Sequence, residues 1–120
     1  MSHSLCAILP CNDLDASEAF YNKLGFKRLP GGDDAYRMLA DSQGAALHLT
    51  RAVEGWLVPG RNPFGLYLSV DDVDALAKAL GPLLIHKPEH KPWGMYEFAV
   101  SDPDETLVRV GTRSPITASA

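Results

Sequence analysis

Residues 12–26 read NDLDASEAFYNKLGF, and residues 71–81 read DDVDALAKALG. The two stretches align at an offset of 59 residues, so that DLDA at 13–16 matches DVDA at 72–75, and each runs on to a Leu-Gly pair. An aspartate before apolar residues spaced three and four apart is typical of a capped helix, and the glycine is typical of its end. The sequence therefore predicts one related helix in each half of the chain.

The second helix has the clearer pattern. Asp72 precedes a stripe formed by Val73, Leu76, Ala77 and Leu80. These spacings place the four side chains on one face of a helix that ends at the following Gly-Pro pair.

The first helix is predicted from about residue 14 to residue 24, with Asp13 or Asp15 as its cap. Asp15 with Glu18 would form a capping box. The side chains expected to point inward are Leu14, Phe20, Tyr21 and Leu24.

Strand-like runs surround both helices in the same order. A short apolar strand precedes each helix and three runs follow it, the last two joined by a turn of polar residues at 41–44 or 102–105. The runs are 26–29, 36–40 and 45–50 in the first half and 83–86, 95–100 and 106–110 in the second. The expected fold class is α+β, with two βαβββ modules forming curled mixed sheets around a cleft.

The chain is expected to form a single domain over residues 1–111, followed by a flexible tail at 112–120. Module one covers 1–50 and module two covers 65–111. The segment 51–64 contains two prolines and no periodicity, which is typical of a linker.

Composition excludes several functional classes. The 120 residues carry a net charge of -4, which argues against nucleic-acid binding, and no apolar run is long enough to cross a membrane. The N-terminus lacks the pattern of a signal peptide.

Cys6 and Cys11 are five residues apart, so that an extended segment points them to opposite faces and they cannot easily pair. Reduced thiols fit the cytoplasm.

Alternation along the strands predicts which side chains face the helices. The apolar set is Leu47, Leu49, Leu66, Leu68, Val70, Val108 and Val110. The opposite face, expected to line the cleft, carries Cys6, Ile8, His48, Thr50, Gly65, Tyr67, Ser69, Leu107 and Arg109.

Four stretches, at residues 12–21, 24–26, 70–73 and 102–104, resemble the recurring signatures of the vicinal oxygen chelate superfamily, in its glyoxalase/bleomycin-resistance branch. In addition, PWGMYEFA at 92–99 resembles the Trp-Gly segment of bleomycin-resistance proteins. The resemblance implies the fold described above and a homodimer whose clefts combine modules of both chains. It also implies capture of a drug without chemical change.

Enzymes of that superfamily hold a divalent metal on the first and last strand of each module. The matching positions in this sequence are Cys6, His48, Gly65 and Arg109. Only His48 is an ordinary ligand of that kind, because glycine has no side chain and arginine is a permanent cation without a lone pair to donate. We therefore expect neither a metal site nor another cofactor.

Two polar pairs are candidates to replace the metal. If the hairpins are tight, Tyr36 lies directly opposite His48, and Glu97 lies directly opposite Arg109. These groups could orient a polar ligand at the cavity floor. Alternatively, the second pair is a structural ion pair without a role in binding.

Four large apolar side chains lie on or beside loops rich in glycine and proline. They are Trp56, Phe64, Trp93 and Met95. They could form a slot for a flat aromatic ligand, or they could pack a dimer interface or plug the mouth of the cavity. The complete set of expected ligand-binding residues is Tyr36, His48, Trp56, Phe64, Tyr67, Trp93, Met95, Glu97 and Arg109.

The segment from His86 to His90 contains Pro88, so we expect a solvated basic loop or an anion contact there instead of a metal-binding helix. Cys6 is expected to be inert because no base is placed beside it.

The leading hypothesis is a protein that binds and sequesters an aromatic small molecule of the bleomycin type, and the net charge of -4 favours a cationic drug. The alternative is an enzyme of the same superfamily, a lyase, isomerase or dioxygenase, that uses an atypical metal site or the acid-base chemistry of Tyr36, His48 or Glu97. A third hypothesis is a scaffold or regulator that binds no ligand.

Overall fold

Both predicted helices are present in the computed structural model, which describes residues 2–114. Helix α1 spans Leu14–Lys23 and helix α2 spans Val73–Leu80. Asp13 accepts a hydrogen bond from the Ala16 amide at 3.0 Å, and Asp72 accepts one from Ala75 at 2.9 Å. Asp13 and not Asp15 is therefore the cap of α1, because the Asp15 carboxylate binds Arg37 instead.

Eight strands form two mixed sheets of four, as the sequence predicts. The first sheet has the order β1-β4-β3-β2 and the second has the order β5-β8-β7-β6. In each sheet the strand before the helix pairs in parallel with the last strand of its module, and the other pairs are antiparallel. The strands are β1 Ala7–Cys11, β2 Lys27–Arg28, β3 Tyr36–Ala40, β4 Ala46–Arg51, β5 Gly65–Ser69, β6 Leu84–His90, β7 Met95–Ser101 and β8 Leu107–Arg113.

The predicted hairpin register is wrong by two residues in both modules. Tyr36 pairs with Thr50, and His48 pairs with Met38. In module two, Glu97 pairs with Gly111, and Arg109 pairs with Ala99. Each turn contains five residues, at 41–45 and 102–106, which is longer than the tight turn assumed. Side chains alternate between the two faces of a strand, so a register shift of two residues leaves every side chain on its predicted face.

The predicted loop between His86 and His90 is also wrong, since these residues belong to β6. The strand pairs with β7 through two register shifts, between Leu84 and His86 and between His86 and Glu89. Pro88 lies within the second shift, and β6 is an edge strand. Proline has no N–H to donate to a sheet. It is tolerated at a register shift and in an edge strand because the ladder does not need that hydrogen bond there.

The predicted start of the tail at residue 112 is too early. Strand β8 continues to Arg113, and Ser114 is buried, with its amide donating to the Gly94 carbonyl at 2.8 Å. The rest of the expected tail, 115–120, lies outside the described residues.

The expected linker holds a short 3-10 helix at Pro59–Arg61.

One hydrophobic cluster draws on both modules. Its members on the last strands, Leu47, Leu49, Val108 and Val110, are fully or nearly fully buried beneath the helices. Leu66, Leu68 and Val70 are partly buried against the same cluster. The predicted core face is therefore confirmed, and the opposite face of each sheet is left for other contacts.

The second hairpin turn joins module two to α1. Asp104 accepts hydrogen bonds from the backbone and side-chain amides of Asn12 at 3.3 and 2.9 Å. Asp102 accepts one from the buried Tyr21 hydroxyl at 2.7 Å. These contacts span more than 80 residues of sequence and help to fix the relative position of the two modules.

Candidate functional site

The main polar cluster on the outer face of sheet two is built around Glu97. Strand alternation on β5, β7 and β8 places Tyr67, Glu97 and Arg109 on the face opposite the core. The Glu97 side chain is 1% exposed, yet it lies beneath three groups that are exposed to solvent. A buried carboxylate in such a position requires hydrogen-bond donors.

Those donors come from aromatic side chains. Glu97 Oε1 accepts a hydrogen bond from the Tyr67 hydroxyl at 3.0 Å and another from the Trp93 indole nitrogen at 2.9 Å. Trp93 remains 57% exposed and Tyr67 remains 43% exposed. The polar edge of each ring is anchored while much of the ring surface stays accessible, which suits the capture of a flat ligand.

Arg109 completes the cluster. Its Nη1 lies 3.5 Å from Glu97 Oε2, an ion pair that is longer than an ordinary hydrogen bond. The guanidinium carbon lies 5.8 Å from the centre of the Trp93 ring, within the range of a cation–π contact. The predicted association of Glu97 with Arg109 is therefore confirmed as a diagonal contact, although the two residues are not directly opposite.

Burial raises the pKa of Tyr67 to about 12, with the hydrogen bond and negative charge of Glu97 adding to the increase. A phenol with such a pKa stays protonated near neutral pH and remains a hydrogen-bond donor to Glu97. At neutral pH, Tyr67 therefore serves to position the carboxylate and does not act as a base.

Gly111 makes this arrangement possible, although no pattern in the sequence singled it out. A Cβ at this position would lie 2.2 Å from the Tyr67 hydroxyl oxygen and 2.8 Å from Glu97 Cβ. The phenol reaches Glu97 by crossing the bare glycine backbone. Gly111 pairs with Glu97 across β7 and β8, so the correct hairpin register would have revealed it.

The second predicted pair forms on the equivalent face of sheet one. The Tyr36 hydroxyl and His48 Nδ1 share a hydrogen bond of 2.7 Å, and the two rings meet edge to face at 5.2 Å between centroids. As in sheet two, the contact is diagonal across the strands. Both side chains are half-buried.

The other predicted residues lie apart from these clusters. Trp56 and Phe64 flank the 3-10 helix of the linker and are 81% and 66% exposed. Met95 begins β7 opposite Arg113, on the same face as Glu97, and lines a shallow groove with Ser69. The nine residues therefore divide among sheet one, sheet two and the linker.

A cavity of about 360 Å³ between the modules was not anticipated. Of the nine expected ligand-binding residues Tyr67 lines it, and Cys6, which was expected on the cleft face, lines it too. Most of its other walls are apolar, including Leu5, Leu24 and Phe26. Tyr67 therefore contacts this cavity as well as Glu97. The cavity forms where the two modules meet, a feature that strand patterns do not encode.

The four positions expected to bind a metal in related enzymes do not offer a suitable donor set here. Cys6 donates weakly to the Ala7 carbonyl at 3.6 Å, and His48 Nδ1 is engaged by Tyr36. Gly65 has no side chain, and Arg109 would repel a cation. Within residues 2–114, no three His, Cys, Asp or Glu side chains are grouped to hold an ion.

The two histidines of β6 have local structural contacts. His86 Nδ1 lies 3.7 Å from Glu89 Oε1. His90 Nδ1 lies 2.5 Å from the Ser114 hydroxyl, and its ring packs on Tyr96 with centroids 4.7 Å apart. Cys11 is buried in the core, and this burial raises the pKa of its thiol to about 11, which makes it a poor nucleophile.

Solved structures with the same fold include two bleomycin proteins. A bleomycin-binding protein complexed with bleomycin has 28% sequence identity and a TM-score of 0.77, with 94% of this chain and 100% of that chain covered. A bleomycin resistance determinant encoded on the transposon Tn5 has 29% identity and a TM-score of 0.77, with 93% and 98% covered.

A lactoylglutathione lyase from Agrobacterium tumefaciens shares the fold. Its sequence identity is 20% and its TM-score is 0.70, with 93% of this chain and 94% of that chain covered. No curated protein matches the sequence. No helix among the described residues is both long and apolar enough to span a membrane. A sequence model of the Glyoxalase/Bleomycin resistance protein/Dioxygenase superfamily matches residues 3–110, and the chain therefore belongs to that superfamily.

Proposed function

We propose that the protein binds and sequesters an aromatic small molecule of the bleomycin type without changing it chemically. The observation that carries this proposal is the pair of exposed rings, Trp93 and Tyr67, held in place by the buried Glu97 carboxylate. Rigid rings lose little conformational freedom when a flat ligand stacks on them. The two bleomycin proteins of the same fold support the ligand class.

The proposed binding unit is a homodimer. The outer faces of the two sheets carry exposed apolar side chains, among them Ile8 at 57% and Trp93 at 57%. A second copy that brings sheet one of one chain over sheet two of the other would close a cleft containing Tyr36 and His48 on one side and Glu97 on the other. Sedimentation equilibrium should then give a mass twice the 13.0 kDa of the chain.

Titration with bleomycin tests the proposal directly. Tryptophan fluorescence should be quenched, and the melting temperature should rise with drug concentration because the ligand binds only the folded state. Trp93→Ala should raise the Kd at least about tenfold, since a stacked ring in a binding site contributes on this scale. Trp56→Ala keeps the Trp93 reporter and tests the contribution of the linker.

Two results would contradict parts of this proposal. The first is unchanged affinity in both tryptophan variants, which would leave binding intact but place the site away from Trp93. The second is stoichiometric nickel, zinc, manganese or iron in the purified protein that is lost in His48→Ala, which would favour a metalloenzyme.

The Tyr36–His48 hydrogen bond of 2.7 Å supports a second candidate function, acid-base catalysis without a metal. This would make the protein a lyase or isomerase of the same superfamily. Turnover of a candidate substrate that is lost in both Tyr36→Phe and His48→Gln, with ligand affinity retained, would establish catalysis in place of sequestration.

A further inference from the structure

We infer that the cavity between the two modules is a second ligand site, which takes a neutral, apolar molecule. This inference goes beyond the proposed function, because it concerns a different site from the Trp93 cluster and a ligand of different chemistry. The cavity has a volume of about 360 Å³, which is within the size range of small-molecule sites. In another protein, an apolar cavity of only about 150 Å³ binds benzene.

The cavity exists because two strand edges do not join. Strand β1 is an edge of sheet one, and β5 is an edge of sheet two. Ala7 of β1 lines one side of the cavity, and residues 66–68 of β5 line another. Residues 44–46, Gly-Ala-Ala, border the same space with side chains that are too small to fill it. The topology and the small residues together therefore leave room for a ligand.

The cavity extends from solvent to the hydrophobic core. At its mouth, the Leu5 side chain is 97% exposed. Its inner wall consists of core residues that are each exposed by 4% or less: Tyr21, Leu24, Phe26, Leu47 and Val108. A molecule that enters would bury its surface against these aliphatic and aromatic groups, which favours an apolar ligand.

The wall also selects for a neutral ligand. Within residues 2–114, none of the side chains that line the cavity is Asp, Glu, His, Lys or Arg. The hydroxyls of Tyr21 and Tyr67 donate to carboxylates outside the cavity wall, at 2.7 and 3.0 Å, so that these residues offer mainly their rings. A charged ligand would lose hydration here without gaining a counterion, which is costly.

The experiment compares two fluorescent probes with the same aromatic skeleton. N-phenyl-1-naphthylamine is neutral, and 1-anilinonaphthalene-8-sulfonate carries an added negative charge. Titration of the full chain should show one neutral amine bound per chain, at least about tenfold more tightly than the sulfonate. No binding of the amine, or equal or tighter binding of the sulfonate, would overturn the inference.

Variants that fill the cavity locate the probe. Ala45 packs against the core cluster and lines the cavity, so Ala45→Leu should weaken binding of the amine at least about tenfold. Ala7→Leu fills the space from β1 and provides the same test if Ala45→Leu does not fold. Ala79→Leu, at an exposed position of α2, is the matched control and should leave the affinity unchanged. Unchanged affinity in both cavity variants would contradict the assignment.

Cys6 gives a second readout at the cavity wall. Its side chain is half-buried and lines the cavity, whereas Cys11 is 1% exposed. A saturating amount of the neutral amine should slow alkylation of Cys6 by iodoacetamide at least about fivefold, as measured by mass spectrometry of its peptide. An unchanged rate of alkylation would place the probe outside the cavity and contradict the inference.

The same probes separate this site from the proposed function. Trp93→Ala should change the Kd of the amine by less than about twofold, because distant sites act independently. Saturating bleomycin should not displace the amine. Loss of amine binding in Trp93→Ala together with displacement by bleomycin would mean a single site, which would overturn this inference and leave the proposed function intact.

Two further outcomes are decisive. If bleomycin fails to bind but the amine binds and Ala45→Leu abolishes its binding, only the proposed function fails. If the amine binds to Leu5→Ser but not to the unmodified protein, the leucine of the same chain or of a second copy fills the cavity, and this inference is wrong.

Discussion

A Cβ added at Gly111 would lie 2.2 Å from the Tyr67 hydroxyl oxygen, so the methyl group and the phenol cannot both occupy their places. We expect Gly111→Ala to displace Tyr67 from Glu97, to lower the free energy of unfolding by about 1–3 kcal/mol, and to weaken ligand binding about tenfold. Gly65→Ala is the matched control, because its nearest contact, the Leu107 carbonyl oxygen, is 3.4 Å away. Equal effects of the two substitutions in denaturant and binding titrations would contradict the role of Gly111.

Ionisation of Tyr67 can be measured separately. Glu97→Gln should lower the pKa of Tyr67 from about 12 part of the way to its ordinary value of 10.0, because the negative charge is removed while burial remains. Carbon NMR of labelled tyrosine rings against pH, with Tyr67→Phe for assignment, reports this pKa. An unchanged pKa of Tyr67 in Glu97→Gln would mean that burial alone raises this pKa.

The same ionisation affects stability at high pH. Because the folded state raises the pKa of Tyr67 above 10.0, this contribution is complete below pH 10 and is lost as the pH rises through about 12. Tyr67→Phe should therefore flatten the decrease in stability over this interval, as measured by urea titrations at several pH values. An unchanged slope would show that Tyr67 is not responsible.

At the scale of elements, Arg37 ties β3 to α1. Its side chain is 8% exposed, and its Nη1 lies 2.9 Å from both Asp15 Oδ1 and Glu18 Oε1. Arg37→Met should lower the free energy of unfolding by about 3 kcal/mol, because the buried links between strand and helix are lost.

Asp15→Asn is the control for Arg37. The Asp15 side chain is 90% exposed, so its loss should cost less than about 1 kcal/mol. Urea unfolding curves measure both variants. A similar cost for the two substitutions would mean that the network at Arg37 is only a surface ion pair.

At the scale of the molecule, the Tyr21–Asp102 hydrogen bond of 2.7 Å links the two modules. Tyr21→Phe should cost about 1–3 kcal/mol, because a buried acceptor loses its donor. A double-mutant cycle with Asp102→Asn should give a coupling energy of about 0.5–3 kcal/mol. Thermal unfolding should remain a single transition in each variant, since one core serves both modules.

Additive effects in that cycle would contradict the role of this bond in joining the modules. Tyr96→Phe is the control: its hydroxyl donates to Asp74 at 2.6 Å, but this contact is exposed to solvent. Its loss should therefore cost less than about 1 kcal/mol.

Local patterns in the sequence were sufficient for the two βαβββ modules, the cap at Asp72 and the face of each strand, but they left the cap of α1 open between Asp13 and Asp15. These features depend on residues close together in the chain, through helical spacing, strand alternation and turn formers. The choice of Glu97 with Arg109 and of Tyr36 with His48 also followed from alternation, because an even error in register leaves side chains on the same face.

The tertiary structure decided what depends on turn length and on contacts between distant segments. It placed Pro88 in an edge strand, set the hairpin register and brought Gly111 beneath Tyr67. It also joined the modules at Asp102 and Tyr21, 81 residues apart, and placed Lys91 and Arg109 beside the Trp93 ring. The contacts between the modules are not encoded in any local stretch of sequence, because side chains far apart in the chain become neighbours only when the modules pack together.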